Sequence, residues 1–293
     1  MTELKIGVIG IPGKWSTEAL ADAVEARTGF RRVIDMGAVA LDLDTGALMH
    51  AGENLCDYDA LIIKKISEVY SPHVLDRLEM LRVAEARGVR VFSRPEAILR
   101  LIDRLACTVS LRLADIPMPR TLVTEDPARA EAAVAAYGSA VFKPLYSTKA
   151  RGMCVIDAGA GAAAQIADFA AENPVMYIQE KRNLSGQDLG MVFLNGDYLC
   201  TYARVSASDT WNTTIHSGGK YADFTPDADL IDLARRAQAP FGLSFTTVDV
   251  ALTQDGPIVF EVSAFGGYRG VKEGCGLDAA ALVTDHVIAE VTG

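Results

Sequence analysis

The residues best placed to do chemistry lie between Thr246 and Gly270. Asp249, Glu261 and Ser263 sit there within two runs of β-branched and apolar residues, Thr246 to Leu252 and Pro257 to Val262, with Asp255-Gly256 between them. That pattern predicts a β-hairpin. A three-residue loop of Gln254, Asp255 and Gly256 sets Asp249 directly opposite Glu261. Because side chains alternate along a strand, Asp249, Glu261 and Ser263 then share one face, and Val248, Val250, Leu252, Ile258, Phe260 and Val262 form the packing face. Two carboxylates and a hydroxyl converging above an apolar sheet are costly unless a cation compensates them. Mg²⁺ carrying a polyphosphate takes oxygen ligands from one or two carboxylates in this way. The plainer alternative is two acids on the wet face of an antiparallel sheet.

Other candidates are spread along the chain. Lys143 closes an apolar strand just before a loop carrying Ser147, Thr148, Lys149, Arg151 and Gly152. Small, hydroxylated and basic residues around a glycine suit a flap over phosphates with Lys143 as a fixed charge beneath it; a solvated basic loop fits the same residues. Gln179-Glu180-Lys181 turns a strand into a polar segment ending in Ser185-Gly186-Gln187-Asp188, and Arg204 closes a further strand. The run from Asn212 to Gly219 is polar and ends in two glycines; His216 within it reads more readily as a structural hydrogen-bonding residue than as a catalyst. Near the start, Gly7, Gly10 and Gly13 are spaced by three, not as GxGxxG, and the stretch from Gly10 to Ser16 departs from a P-loop. Trp15 stands where Ser or Thr is needed and Val8 where the first glycine belongs. The expectation is a plain βα turn lining a substrate pocket at the carboxyl end of a sheet.

The elements that must position these residues follow from periodicity. Strands at Lys5 to Ile9, Arg32 to Met36, Ala60 to Lys64 and Arg90 to Phe92 alternate with helices at Ser16 to Arg27 and Pro72 to Arg87, with a hairpin around Asp44-Thr45-Gly46. Alternation of this kind implies a parallel sheet. Two helices meet near Leu101-Ile102-Asp103, and a second α/β unit follows: strand Thr121 to Thr124, helix Pro127 to Tyr137, strand Ala140 to Lys143, strand Met153 to Ile156, helix Ala163 to Glu172 and strand Met176 to Glu180. The remainder is largely β and ends in a helix from Asp278 to Val291. This gives an α/β chain in three parts: residues 1–95, 96–180 and 181–293.

Composition narrows the function classes. Half of the 293 residues are apolar, and the formal charge is −10. An acidic surface argues against nucleic acid as an obligate partner, since phosphate backbones need a basic face. It leaves room for ATP, which needs only a local basic pocket. No apolar run reaches the length of a membrane span, so no membrane partner is expected. Five scattered cysteines without CxxC spacing suit reduced thiols in a cytoplasm.

Taken in order, these features resemble the ATP-grasp ligases, and among them the RimK-like group of α-L-glutamate ligases. The resemblance runs from about Asp103 to the C-terminus and implies an α+β ATP-grasp fold: a pre-ATP-grasp domain, then two subdomains clasping ATP between two sheets. By this resemblance Asp103-Arg104 stands at the family's Asp-Lys pair, Lys143 at the lysine reaching the ATP phosphates and Ser147 to Gly152, with Thr148, at the flap. Glu180 and Lys181 stand at the adenine linker, Asp188 at the acid that holds the ribose, and Asn212 with Thr214 in the polar segment ending His-x-Gly-Gly. Asp249, Glu261 and Ser263 fall on the magnesium ligands, and Gly266 to Gly270 on the loop that meets the acceptor. The implied cofactors are ATP and Mg²⁺, with Mn²⁺ as a substitute. The implied partners are a small-molecule carboxylate and an amine, glutamate-like by analogy, in a homo-oligomer.

On this resemblance Arg204 would stabilise the transferring phosphoryl group and Arg269, with Lys272 nearby, would bind an anionic substrate. The chain departs from the pattern in places. Ser263 replaces the usual Asn and would reach the ion through a water; Arg104 replaces a lysine, and Thr214 an Asn; Arg269 and Lys272 stand where relatives tend to carry acids. Two alternatives follow: a regulatory protein that kept the nucleotide site and lost turnover, and a dinucleotide-dependent oxidoreductase using the N-terminal sheet.

Overall fold

Strand β1 (Ile6–Ile9) is fully buried, and a computed structural model, which describes residues 4–148, 150–184, 186–206 and 219–293, shows what covers it. It lies in a parallel sheet of order β2-β1-β6-β7, with β2 (Val33–Ile34), β6 (Ala60–Ile63) and β7 (Arg90–Phe92). Parallel strands buried on both faces read as unbroken apolar runs, as IGVI and ALII do. Helix α1 (Trp15–Thr28) covers one face through Leu20, Ala21 and Val24, and the chain's last helix joins it there through Ala280, Val283 and Val287. Helices α2 (His73–Ala86) and α3 (Pro95–Ile102) cover the other face. A small antiparallel sheet of β3 (Ala40–Asp42), β4 (Ala47–His50) and β5 (Glu53–Asn54) sits beside it, with its first hairpin turning at Asp44 to Gly46 as expected. The second strand is shorter than the sequence suggests, because Met36–Ala38 turns into a 3₁₀ helix capped by Asp35.

Helix α4 (Arg104–Leu113) follows α3 directly, and Asp103 separates them as the cap of α4, accepting from the Leu105 amide at 2.9 Å. The second sheet is antiparallel, order β10-β9-β11-β8, from β8 (Thr121–Thr124), β9 (Ser139–Lys143), β10 (Cys154–Asp157) and β11 (Met176–Glu180). Helices α5 (Pro127–Tyr137) and α6 (Ala162–Glu172) pack on one face. The opposite face meets α4, where the Tyr177 and Thr108 hydroxyls lie 2.9 Å apart.

The third sheet carries the chemistry. Its order is β14-β13-β12-β15-β16, all antiparallel: β12 (Gln187–Leu194), β13 (Asp197–Val205), β14 (Lys220–Asp223), β15 (Phe245–Thr253) and β16 (Gly256–Ser263). Leu189, Met191, Val248, Val250 and Val262 pack on helix α7 (Ala228–Gln238), which sequence periodicity had not marked out. The β15–β16 hairpin differs from expectation in one instructive way. Its turn holds two residues, since Thr253 pairs with Gly256, yet Asp249 still pairs with Glu261 because Phe260 is left out of the ladder as a bulge. The packing face therefore takes Val259, fully buried, in place of Phe260 and Ile258.

After β16 the chain does not run on as a loop to Gly270 but enters helix α8 (Tyr268–Cys275), then α9 (Ala279–Thr292), capped by Asp278. The glycines here are explained by Tyr202 on β13. A Cβ at Gly190, Gly267, Gly270 or Gly274 would fall 2.3, 2.4, 2.4 or 2.5 Å from atoms of Tyr202. The ring lies in a cradle that only glycine permits. Helix α9 is tied back to the first sheet by an Arg27–Asp285 ion pair and by Arg90–Glu290 at 2.8 Å.

Candidate active site

The solvent side of the third sheet gathers Asp188, Arg204, Asp249 and Glu261. Asp188 pairs with Arg204 across β12 and β13, while Asp249 pairs with Gly190 on one side and Glu261 on the other. The guanidinium bridges strands: Arg204 Nε lies 3.1 Å from both Asp188 oxygens, and an Nη lies 2.9 Å from Asp249. Burial works against the charge of Arg204, but the fields of Asp249 and Asp188 outweigh it and hold the guanidinium protonated well above its ordinary range. For Asp249 the balance falls the other way. Burial, with the repulsion of Glu261 and Asp188, raises its carboxyl pKa despite the attraction of Arg204. Asp188, Asp249 and Glu261 face two guanidinium groups, those of Arg204 and Arg104, so the cluster is one positive charge short.

That deficit is the test of fit for a divalent ion. Among the described residues no three His, Cys, Asp or Glu side chains group to hold a metal alone. The donors are Asp249 and Glu261, with Ser263 beyond Glu261 on the same strand and lining the same cleft. Two carboxylates and a hydroxyl leave coordination positions for phosphate oxygens and water, which suits Mg²⁺.

Across the cleft stands the second sheet. Lys143 ends β9 with its ammonium buried, 2.5 Å from Gln179 Oε1 and 5.2 Å from the centre of the Phe260 ring. Burial first, then the charge of Arg104, pushes its pKa down to about 7, with Glu261 pulling the other way. Arg104 links the parts. Its guanidinium lies 3.1 Å from Glu261 and donates to the Pro144 carbonyl at 3.3 Å and the Ser147 carbonyl at 3.5 Å. The Ser147 hydroxyl is buried without a hydrogen-bond partner among the described residues, at the lip of this cleft. Thr148 accepts from Arg151 at 3.0 Å, and Arg151 also reaches the Glu68 carbonyl of the N-terminal domain at 3.2 Å. Gly152 takes φ +69°, where a Cβ would also press within 3.0 Å of Pro144.

The remaining sequence candidates are dispersed. Glu180 is paired with Arg182 at 3.5 Å, and Arg182 also pairs with Asp255 at the tip of the β15–β16 hairpin, so the linker between the two sheets is pinned at that tip. Lys181 is exposed, with its backbone amide donating to Ser139 at 3.0 Å. Asp188 is buried against Arg204. Asn212, Thr214 and His216 lie outside the described residues. Arg269 and Lys272 sit on α8 beside Trp15, not among the carboxylates. The expected acceptor loop is helical from Tyr268 because its glycines pack against Tyr202.

Sequence reasoning missed Lys64, Tyr70 and Phe260. Lys64 is buried, donates to the Phe265 carbonyl at 2.7 Å and the Gly266 carbonyl at 3.2 Å, and lies over the Tyr268 ring. It therefore anchors the segment following Ser263 to the first sheet. Its signal was the one used for Lys143: a lysine closing a fully apolar strand. Of the N-terminal glycines, Gly7 and Gly10 are filled by packing, with Ile34 and Thr17 at 2.6 and 2.4 Å from where a Cβ would stand.

The profile of the RimK-like ATP-grasp domain matches residues 102–287. The tetrahydromethanopterin:alpha-L-glutamate ligase of Methanosarcina acetivorans is 24% identical over 97% of this chain and 98% of its own length. A probable alpha-L-glutamate ligase of Pectobacterium carotovorum is 25% identical over 97% of this chain and 94% of its own. Among solved structures, the ATP-grasp ligase PsnB, complexed with a phosphomimetic variant of its minimal precursor, Mg and ADP, superposes with a TM-score of 0.77 at 19% identity over 99% of both chains. The D-alanyl-alanine synthetase A of Vibrio cholerae does so at 0.73 and 16%, over 100% of this chain and 98% of its own. With two thirds of the sequence under one family profile and the whole fold shared with ATP-grasp ligases, the chain belongs to the RimK-like ATP-grasp family of ligases.

Proposed function

We propose that this enzyme joins a carboxylate to an amine at the expense of ATP and Mg²⁺, through an acyl phosphate. The observation that carries the reading is the meeting of Asp249, Glu261 and Arg204 on one sheet with Lys143 on the other and Arg104 at the start of α4. The γ-phosphoryl group passes to the substrate carboxylate, ADP is released, the amine attacks the acyl carbon, and phosphate leaves. Chemistry of this kind is mostly positioning and neutralisation of charge.

Asp249 and Glu261, with Ser263 through a water, would hold Mg²⁺, or Mn²⁺ in its place; the ion supplies charge neutralisation at the phosphates. Lys143 from the second sheet and Arg104 from α4 bind the phosphates. Arg204 stabilises charge on the transferring group, which it can do because two carboxylates keep it protonated and fixed. Glu180 and Lys181 border the adenine, Asp188 receives the ribose, and Asn212 and Thr214 complete the polar edge. Ser147, Thr148 and Gly152 close over the phosphates and exclude the water that would hydrolyse the acyl phosphate. The three lobes divide near residues 95 and 180. The relatives' names favour glutamate as the amine and a small molecule or peptide as the carboxylate. A cytoplasmic homo-oligomer is the setting expected from the resemblance. Arg269 and Lys272 bind an anionic portion of the substrate.

The test is ADP release from Mg·ATP across pools of amino acids and carboxylates. Substrate-dependent release that Asp249→Asn and Glu261→Gln reduce by at least about a hundredfold supports the reading. Tight Mg·ATP binding with no release under any pool would instead favour a regulatory protein, a reading that rests on Ser263. In that case Ser263→Asn should create turnover.

A further inference from the structure

Trp15 opens α1 just after the first βα turn and remains 40% exposed. From α8, the Arg269 guanidinium lies 5.6 Å and the Lys272 ammonium 5.4 Å from the centre of this one indole. Residues three apart on a helix are neighbours on one face, and like charges so placed repel. An indole attracts cations through its quadrupole but does not neutralise them. Compensation is thin. Arg269 has Glu273 at 3.6 Å in an exposed pair, and among the described residues no carboxylate forms an ion pair with Lys272, although the chain carries a net charge of −10. Lys14, beside Trp15, is already committed to Glu68 at 2.8 Å.

Arg269 shares a neighbour, Tyr221, with the reactive centre. Tyr202 packs against Gly270 on one side and edge-on against Tyr221, with ring centres 5.3 Å apart. The Tyr221 phenol, raised chiefly by burial, also feels Arg204, Glu273, Arg269 and Asp249. One short path therefore runs from the carboxylates to the basic cluster.

Resting on the ligase reading above, we propose that Trp15, Arg269 and Lys272 form an anion subsite that anchors the non-reacting end of the substrate, and that this end carries a dianion, either a dicarboxylate or a phosphate monoester. A guanidinium fork matches a carboxylate or phosphate in two-point contact, and an ammonium takes the second negative charge as a point partner. Trp15 comes from the helix after β1 and the cations from the helix after the metal strand. Substrate at this subsite therefore holds the two together and sets which substrates reach the acyl phosphate.

The experiment uses Trp211→Phe full-length protein, in which Trp15 is the remaining tryptophan. Glutarate, inorganic phosphate and, as monoanion control, butyrate are titrated while indole emission is followed. The expected result is a saturable change with glutarate or phosphate, the better of the two naming the source, and binding of butyrate about tenfold weaker or more. Lys272→Gln should weaken the dianion about tenfold and leave Mg·ATP binding, measured by calorimetry, unchanged. Equal affinity for butyrate, or a dianion affinity untouched by Lys272→Gln, overturns the subsite while intact Mg·ATP binding leaves the ligase reading standing. Absence of Mg·ATP binding in the unsubstituted protein overturns both.

Discussion

Asp249 and Glu261 face each other across a hairpin whose two-residue turn would by itself misalign them, and the bulge at Phe260 restores the pairing. The bulge also turns the Phe260 ring out of the packing face and beneath Lys143. Phe260→Ala should therefore leave the carboxylate pair and the fold in place and weaken Mg·ATP binding. A cation–π contact contributes roughly 0.5–2 kcal/mol, so the expected loss is a few-fold to about thirtyfold in Kd by calorimetry. An unchanged Kd would remove the ring from the nucleotide cleft.

Arg204 stands between Asp188 and Asp249. Arg204→Ala leaves two nearly buried carboxylates without their cation, a change that costs about 3–5 kcal/mol in comparable buried pairs. The melting temperature should fall by roughly 10 °C. Millimolar Mg²⁺ should recover part of that loss, more than it raises the melting temperature of the unsubstituted protein. If Mg²⁺ does not narrow the gap, the carboxylates are not the ion's ligands.

Lys64 and Lys143 are both held down to about 7 by burial. Below pH 7 both are charged in the folded and unfolded chains alike. Between about 7 and the ordinary lysine value near 10.4, the unfolded chain binds more protons, so folded stability rises with pH through that window. The slope is at most about 1.4 kcal/mol per pH unit for each lysine. Urea midpoints at pH 7 and pH 9 measure it, provided both conditions unfold in two states. Lys64→Met should flatten the rise, and an equal rise in that variant would assign it elsewhere.

Phosphates brought against Lys143 restore its charge. Above pH 7 the binding of Mg·ATP should accordingly take up a proton, seen as a calorimetric heat that varies with the ionisation enthalpy of the buffer. Lys143→Met should abolish the uptake along with most of the affinity. Buffer-independent heats at pH 8.5 would mean that the phosphates lie away from this lysine.

Gly270 and Gly274 line the cradle around Tyr202. Gly270→Ala forces a methyl into a filled space and should destabilise the fold by about 1–3 kcal/mol. Gly276→Ala, at the left-handed end of α8 with no atom within 4 Å of its Cβ position, isolates the backbone cost of such a change. Thermal melts should place the two variants apart, with substrate affinity falling for Gly270→Ala because α8 also carries Arg269 and Lys272.

Much of this protein was legible in its residues, because the information was local. Apolar runs such as ALII and IGVI specified buried parallel strands. The helices expected after Asp103, Asp126 and Asp278 form there, each capped by that aspartate. The alternation around Asp249 and Glu261 predicted a shared face; Lys143 at a strand end was expected to be a fixed charge, but its burial between the sheets lowers its pKa to about 7, so the charge depends on pH and on what binds. What the sequence could not supply depends on contacts between distant segments. The bulge at Phe260 is chosen by sheet packing, with the neighbouring Val259 amide drawn to the Pro117 carbonyl at 2.8 Å. The helix at Tyr268 is set by glycines closing on Tyr202, sixty-six residues earlier, and the Arg204 site by Asp188 and Asp249 arriving on two neighbouring strands. Local propensity has no access to such pairings, since each becomes favourable only once the sheets are assembled and the competing water is gone.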